Sequence, residues 1–467
     1  MAHSFHSIRT WPARLLARPW LLGFVPINAA TSGFGVALPL LILITLHSSW
    51  ASVALAATLF NTAVILSSFF WGWVSDRFPA RRALLVVNYA GFGALYLVLT
   101  HIPSLPLLLT VYTLVGVLAP AGTSASNLLI LEKFTEKERA NAYASFQEMS
   151  ILGSMAGLLI GYFWVVRDDA LQSLLFVLAG LAAVSAAVIW FGVKDPEQNL
   201  KIANVAQHPE SLGSRIRFSS AFHLSIPFFP KRPKVTSDAY ARFRKWVRTE
   251  IHHELPLIFG AMFLFNLSSN LFNISYTPYL YALGLGAASI FLVNFSNNTA
   301  QGIMFPISGN LTARWGADRL VQRSTYVRSI GYLIVGAFTF VTFFGGGTFA
   351  ANLIVFGVLG GAIALYSTAS SMILFRAVQH RDAGSLLGIN SALGGAAAVG
   401  GALASELISI FGSFRLVFLV SAGALLVSLP LWTAASVAHR RRHEEAIIVE
   451  PKAAPREAKS AATGQTD

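Results

Sequence analysis

The chain has 467 residues, of which 55% are hydrophobic and 12% charged, with a net charge of +13 and no cysteine. Soluble proteins carry about 25% charged residues, and the lack of cysteine excludes disulfides, thiolate metal sites and cysteine nucleophiles. The basic residues form short clusters between apolar runs, a pattern that encodes membrane orientation and argues against nucleic acid as a partner.

Residues 1–19 read as a cytoplasmic N-terminus carrying Arg9, Arg14 and Arg18. The apolar run at 20–46 is too long for the ~7–15-residue apolar region of a signal peptide, so it is expected to stay as a first transmembrane helix. Further apolar segments fall at 51–75, 83–101, 106–131, 142–166 and 171–193. After a polar stretch they resume at 256–283, 287–311, 324–345, 348–375, 384–411 and 414–437. Most exceed the ~20 residues that a helix needs to cross the hydrocarbon core. With the N-terminus inside, only Arg167 and Arg415 among the lysines and arginines fall at outer loops, as the positive-inside rule demands. The sequence therefore predicts an all-α polytopic protein of the cell membrane, acting as a monomer. Its twelve transmembrane helices form two six-helix bundles, 20–193 and 256–437, with both termini cytoplasmic.

The linker at 194–255 ends in "SDAYARFRKWVRTEIHHEL", which starts with good helix N-caps at Ser237 and Asp238. Tyr240, Phe243, Val247 and Ile251 share one side, and Arg242, Lys245 and Arg248 can meet lipid headgroups. The pattern suits an amphipathic helix on the inner leaflet. The tail at 438–467 reads as a basic membrane-flanking cluster, "HRRRHEE", followed by disorder.

Two sets of six helices suggest a duplication. A shift of 237 residues lays "GNLTARWGADR" (309–319) on "GWVSDRFPARR" (72–82), so that Gly309 meets Gly72 and Arg314 meets Arg77. The same shift puts Arg376 on Arg139 and Gly394 on Gly157.

With its 6+6 helices, its long central loop, "GWVSDRFPARR" and "EKFTEKERANA" (132–142), the chain resembles the major facilitator superfamily of secondary transporters. The family's loop pattern is matched at Gly72, Asp76, Arg77, Arg81 and Arg82, whereas Pro79 stands where the family usually has Gly. The resemblance implies a cytoplasmic gate latch formed by this loop, with Arg139, Gly309 and Arg314 at related positions. Because Ala313 replaces Asp76 in the second copy, a carboxylate role is expected only in the first half. The arginine in helix four and the proline in helix five that are common in the family's drug antiporters do not occur.

Two polar stripes are candidates for the solute site. Asn266, Asn270, Asn273 and Thr277 lie on one face of the seventh segment; Asn294, Asn297, Asn298 and Gln301 cluster on the eighth. Carboxamides facing lipid are costly, so these faces are expected to turn to a cavity or to another helix. Asn28, with Ser32 and Gly35, and Asn61, with Thr62, are the first-half candidates; Gly116, Gly122 and Asn127 in the fourth segment and Tyr366 and Ser367 in the tenth are lesser ones. Glu148 in the fifth segment is the candidate for proton coupling.

The pattern contains no metal-ligand spacing, phosphate-cradling loop or catalytic triad, and an enzyme, a metal and a cofactor are not expected. The expected activity is secondary active transport of a small solute, with a proton as candidate coupling ion and the bilayer as surroundings. Proton-coupled efflux leads; a facilitator importing a sugar-like nutrient, or a non-transporting receptor on the same fold, are the alternatives.

Overall fold

The computed structural model describes residues 19–77, 80–101, 104–133, 136–168, 170–193, 254–338, 346–377 and 383–449. The amphipathic helix expected in the linker and residues 450–467 of the tail lie outside the described residues. Among the described residues are twelve long helices in the expected order. The first six are α1 (Phe24–Leu40), α2 (Trp50–Arg77), α3 (Arg81–Leu99), α4 (Leu105–Lys133), α5 (Glu136–Asp168) and α6 (Leu171–Gly192). The second six are α7 (Glu254–Ala282), α8 (Ala287–Trp315), α9 (Ala317–Phe338), α10 (Gly346–Ala377), α11 (Ala383–Ser409) and α12 (Phe414–Val449).

Ten of the helices contain a stretch long and apolar enough to cross a membrane. The other two, α8 and α9, are long enough but too polar: α8 carries its carboxamide stripe and α9 carries Arg319, Arg323 and Arg328. Several helices outrun their apolar segments at the end that bears the charges. Helix α5 begins at Glu136 rather than 142, α9 at Ala317 rather than 324, and α12 runs to Val449 rather than 437. The part of the tail up to Val449 is thus helical, against expectation. Apolar runs mark only the buried part of a helix, whereas Glu, Lys, Arg and Ala are strong helix formers that prolong it.

Local chemistry sets the ends. Pro19 opens a short 3₁₀ turn, Pro19–Gly23, before α1, where its missing N–H costs nothing. Pro39 removes an α-helical hydrogen bond near the end of α1, and the chain widens into a π turn at Leu41–Thr45. Only Gly316 separates α8 from α9. It has φ +81°, and its N–H bonds to the Thr312 carbonyl at 2.9 Å, a left-handed cap that favours glycine.

The two halves pack alike. Helix α1 lies on α5 and α6, α2 on α4, and α3 on α4 and α6; α7, α8 and α9 repeat these pairings with α11, α12 and α10. Close approaches repeat with them. A Cβ on Gly116 of α4 would stand 2.7 Å from the Phe60 carbonyl oxygen of α2, and one on Gly360 of α10 would collide with the Asn297 carbonyl of α8. Likewise Gly157 of α5 admits the Ala29 carbonyl of α1, and a Cβ on Gly401 of α11 would lie 2.8 Å from the Leu267 carbonyl of α7.

These contacts correct the sequence register. Phe60 and Asn297 keep the offset of 237, but Gly116 and Gly360 differ by 244, as do Gly157 and Gly401. The structural twin of Gly157 is Gly401, not Gly394. Arg139 lies on α5 whereas Arg376 lies in the last turn of α10, so these two are not equivalent. The connection between the third and fourth helices of the second half is longer, and a constant shift cannot survive it.

Candidate functional site

The halves meet along two seams, α2 on α11 and α5 on α8, with a lighter contact between α1 and α7. At the first, Gly395 faces Ile65; at the second, Gly302 faces Ile151. At the end of the bundle where α2 and α12 begin, the Trp50 ring stacks on Phe414 across the halves, with centroids 4.3 Å apart. An aromatic pair thus joins the halves at that end.

The candidate amides divide into two groups. Asn28, Asn61, Asn270 and Asn298 are half-buried, and each donates an amide N–H to the carbonyl four residues earlier on its own helix. Asn61 and Asn298 do so at positions that the repeat makes equivalent. With one N–H satisfied locally, such a side chain keeps an amide oxygen to accept from something else. Asn297 is different: it is buried, donates to the Phe356 carbonyl of α10 at 2.9 Å, and accepts from Gln301 at 2.6 Å. These two tie α8 to α10.

The α7 stripe does not share one neighbour. Asn266 and Asn270 lie beside Gly394 and Gly401 of α11, Thr277 is buried and Asn273 is exposed. Glu148 is half-buried on α5, one turn from the Ile151 contact with α8.

Of the expected latch, Gly72, Asp76 and Arg77 fall in the last turns of α2 and Arg139 near the start of α5; the Asp76, Arg77 and Arg139 side chains lie outside the described ones. Arg81 is buried, and the Arg82 guanidinium sits 4.3 Å from the Trp190 ring centre. Arg314 is exposed in the last turn of α8, and Gly309 meets open space.

The second half also has a carboxylate at this end, Asp318, paired within its own half. Arg376 Nη1 and Nη2 donate to the two oxygens of Asp318 at 3.0 and 2.9 Å, and Ser436 adds a third hydrogen bond at 3.2 Å. Helices α9, α10 and α12 are thereby joined. Burial raises the Asp318 pKa, but the hydrogen bond and charge of Arg376, with Ser436 and His439, outweigh it and hold the group below its ordinary value. Nearby, His439 lies 3.0 Å from buried Glu254. Asp318 stands five positions past Ala313, so motif matching at a fixed shift could not find it.

Arg328 was also missed. Counted from the apolar segment at 324 it resembles a helix-end arginine, but α9 starts at Ala317 and places it eleven residues in, about 16 Å along the axis. It is 1% exposed. Its Nη2 donates to the Tyr332 hydroxyl, which is in hydrogen-bond contact with Ser269. The guanidinium lies 4.8 Å from the Phe265 ring centre and 5.2 Å from that of Tyr332. Among the described residues no carboxylate is within ion-pair distance. Arginine does not shed its proton in proteins. A charge at this depth costs at least about 2.5–3.5 kcal/mol, and each ring face returns about 0.5–2 kcal/mol.

No curated protein sequence matches the chain. Solved structures that share its fold include two transporters. One is a mutant form of the nucleoside transporter NupG, at TM-score 0.63 and 13% identity, covering 89% of this chain and 98% of that one. The other is a D-xylose–proton symporter, at TM-score 0.63 and 14% identity, covering 88% and 95%. The family model described as "Major Facilitator Superfamily" matches residues 20–321 and 257–462. Twelve helices in two like halves, apolar enough to hold the chain in a membrane, and a family match along nearly its whole length agree: this chain is a transporter of the Major Facilitator Superfamily.

Proposed function

We propose that the protein moves a small, hydrogen-bonding solute of low net charge by alternating access between its two halves. The observation that carries this reading is the set of half-buried amides Asn28, Asn61 and Asn298, each on a helix that contacts the opposite half. Asn61 and Asn298 offer equivalent acceptors in opposite halves, which suit hydroxyl or N–H donors of a solute. All twelve helices cross the membrane in this reading and both termini are cytoplasmic, in keeping with the arginines gathered at one end of the bundle. The loop from Gly72 to Arg82 serves as gate latch, and Glu148 is the proton carrier. That similar folds belong to a nucleoside transporter and a D-xylose–proton symporter supports a polar solute and a proton partner.

The test is flux in proteoliposomes under an imposed pH gradient of either sign, with uridine, xylose and glucuronate as a first panel. Asn61→Ala and Asn298→Ala should each raise KM about tenfold, since one good hydrogen bond is worth up to about 1.5 kcal/mol. Unchanged KM in both variants would refute the amide site. The sign of the gradient that drives movement separates export from import of a sugar-like nutrient.

A further inference from the structure

The repeat that shapes both halves breaks sharply at one place. Phe265, Arg328 and Tyr366 all lie eleven residues in from the same end of the bundle, on α7, α9 and α10. Gly91 packs on Leu118 of α4 as Gly331 packs on Leu359 of α10, so the first-half equivalent of Arg328 is Asn88, a neutral side chain that is buried and donates to the Leu118 carbonyl at 2.6 Å. Phe265 stacks on Tyr366 with ring centres 3.3 Å apart, and Tyr366 meets Trp432 of α12 edge-on at 6.2 Å. Packing symmetry does not require any of this.

The cluster gathers donors and lacks acceptors. Six buried side-chain atoms among the described residues have no hydrogen-bond partner in the protein, and three belong here: Arg328 Nε, the Tyr366 hydroxyl and Trp432 Nε1. All three can donate, two can only donate, and one carries a permanent positive charge. Buried donors are ordinarily satisfied, and a buried cation is ordinarily paired. An uncharged sugar or nucleoside would satisfy donors but leave the charge. A carboxylate answers both needs, because its oxygens accept several hydrogen bonds and its shape matches a guanidinium edge.

We propose that Arg328, with Tyr366 and Trp432, binds the carboxylate of an organic monoanion, so that the low net charge of the solute is a single negative one. The Phe265 and Tyr366 rings give an apolar surface for the rest of the molecule. The site is closed in this conformation and must open as the α7–α10 ring pair separates. This assignment rests on the transport reading above for its meaning, but its binding test does not.

The experiment is a thermal-shift titration of the full-length protein in detergent, in chloride-free buffer. Glucuronate and benzoate are compared with their uncharged counterparts, glucose and benzamide, and sodium chloride is run alone. A ligand that binds the folded state raises the melting temperature. The carboxylates are expected to raise it with a half-saturating concentration at least tenfold lower than that of their uncharged partners. Arg328→Met should abolish the difference while the protein stays folded, because replacing a buried charge by an apolar side chain of similar size is often neutral or stabilising. Tyr366→Phe, a smaller change, should raise the half-saturating concentration several-fold. The proposal is overturned by equal shifts from charged and uncharged partners or by no shift from either carboxylate. An equal shift from chloride alone, or a carboxylate shift that survives in both variants, overturns it as well. Arg328-dependent binding without flux of any solute would leave this site standing and refute transport; flux without charge-dependent binding would do the reverse.

Discussion

Gly360→Ala should weaken the seam between α8 and α10 and lower the stability of the folded protein by about 2–4 kcal/mol. A Cβ at this position would stand 2.9 Å from both the carbonyl carbon and the Cα of Asn297, with the carbonyl oxygen closer still. Ordinary carbon–oxygen contacts are about 3.3 Å or more, so α10 must retreat by roughly 1 Å. Overpacking of this kind costs about 1–3 kcal/mol. The retreat also stretches three bonds between these helices: Ser296 to the Leu353 carbonyl, Asn297 to the Phe356 carbonyl, and Ser308 with Thr368. At about 0.6 kcal/mol each, their loss adds roughly 2 kcal/mol, from which the better helix propensity of alanine recovers about 1 kcal/mol. Denaturant unfolding in mixed micelles measures the change. Gly423→Ala, which meets open space on α12, should be neutral or gain up to about 1 kcal/mol, and Gly116→Ala, with its 2.7 Å contact, should fall between. If Gly360→Ala unfolds no more easily than Gly423→Ala, the close approach of α8 and α10 does not exist.

Asp318→Asn should reduce stability by only about 0.2–1 kcal/mol at neutral pH, since the pair is part-exposed and screened by solvent. Because the Asp318 pKa is held below its ordinary value, this stabilisation is present at neutral and mildly acidic pH and is lost as pH falls through the depressed value. Acid titrations of the two proteins should therefore converge at low pH, and parallel curves would count against the pair. Asp76→Asn should lower solute flux several-fold with insertion and melting temperature unchanged; normal flux would reduce the first loop to a topology signal. Glu148→Gln should flatten the pH dependence of flux, and an unaltered pH profile would remove this residue from proton coupling.

How much of this was legible beforehand varies with the kind of information each residue carries. Apolar runs reveal helices wherever lipid is the solvent, so the order and pairing into halves could be read from 20–46 onward. The charged ends could not, because Glu136 and Asp318 stand in the first turns of their helices, where the helix dipole favours a carboxylate and hydrophobicity gives no signal. The carboxamide stripes defined faces but not neighbours. Periodicity at Asn297 and Asn298 is the same, yet one is tied to α10 and the other is left half-buried with its oxygen available. Arg328 was hidden by an error of seven residues in a helix start, which moved it from the core to the rim. Its aromatic surroundings come from three other helices, and no local pattern announces them.

The two seams have a mechanical consequence. The operation that superposes one half on the other carries α2–α11 into α5–α8, so the seams are copies of one joint and not independent hinges. Any rocking that preserves this symmetry must slide both by the same amount. A wedge driven into one, at Ile65 and Gly395 for instance, would load its copy at Ile151 and Gly302 on the far side of the molecule. The protein is built like a door hung on a matched pair of hinges, in which jamming either one stops the whole leaf.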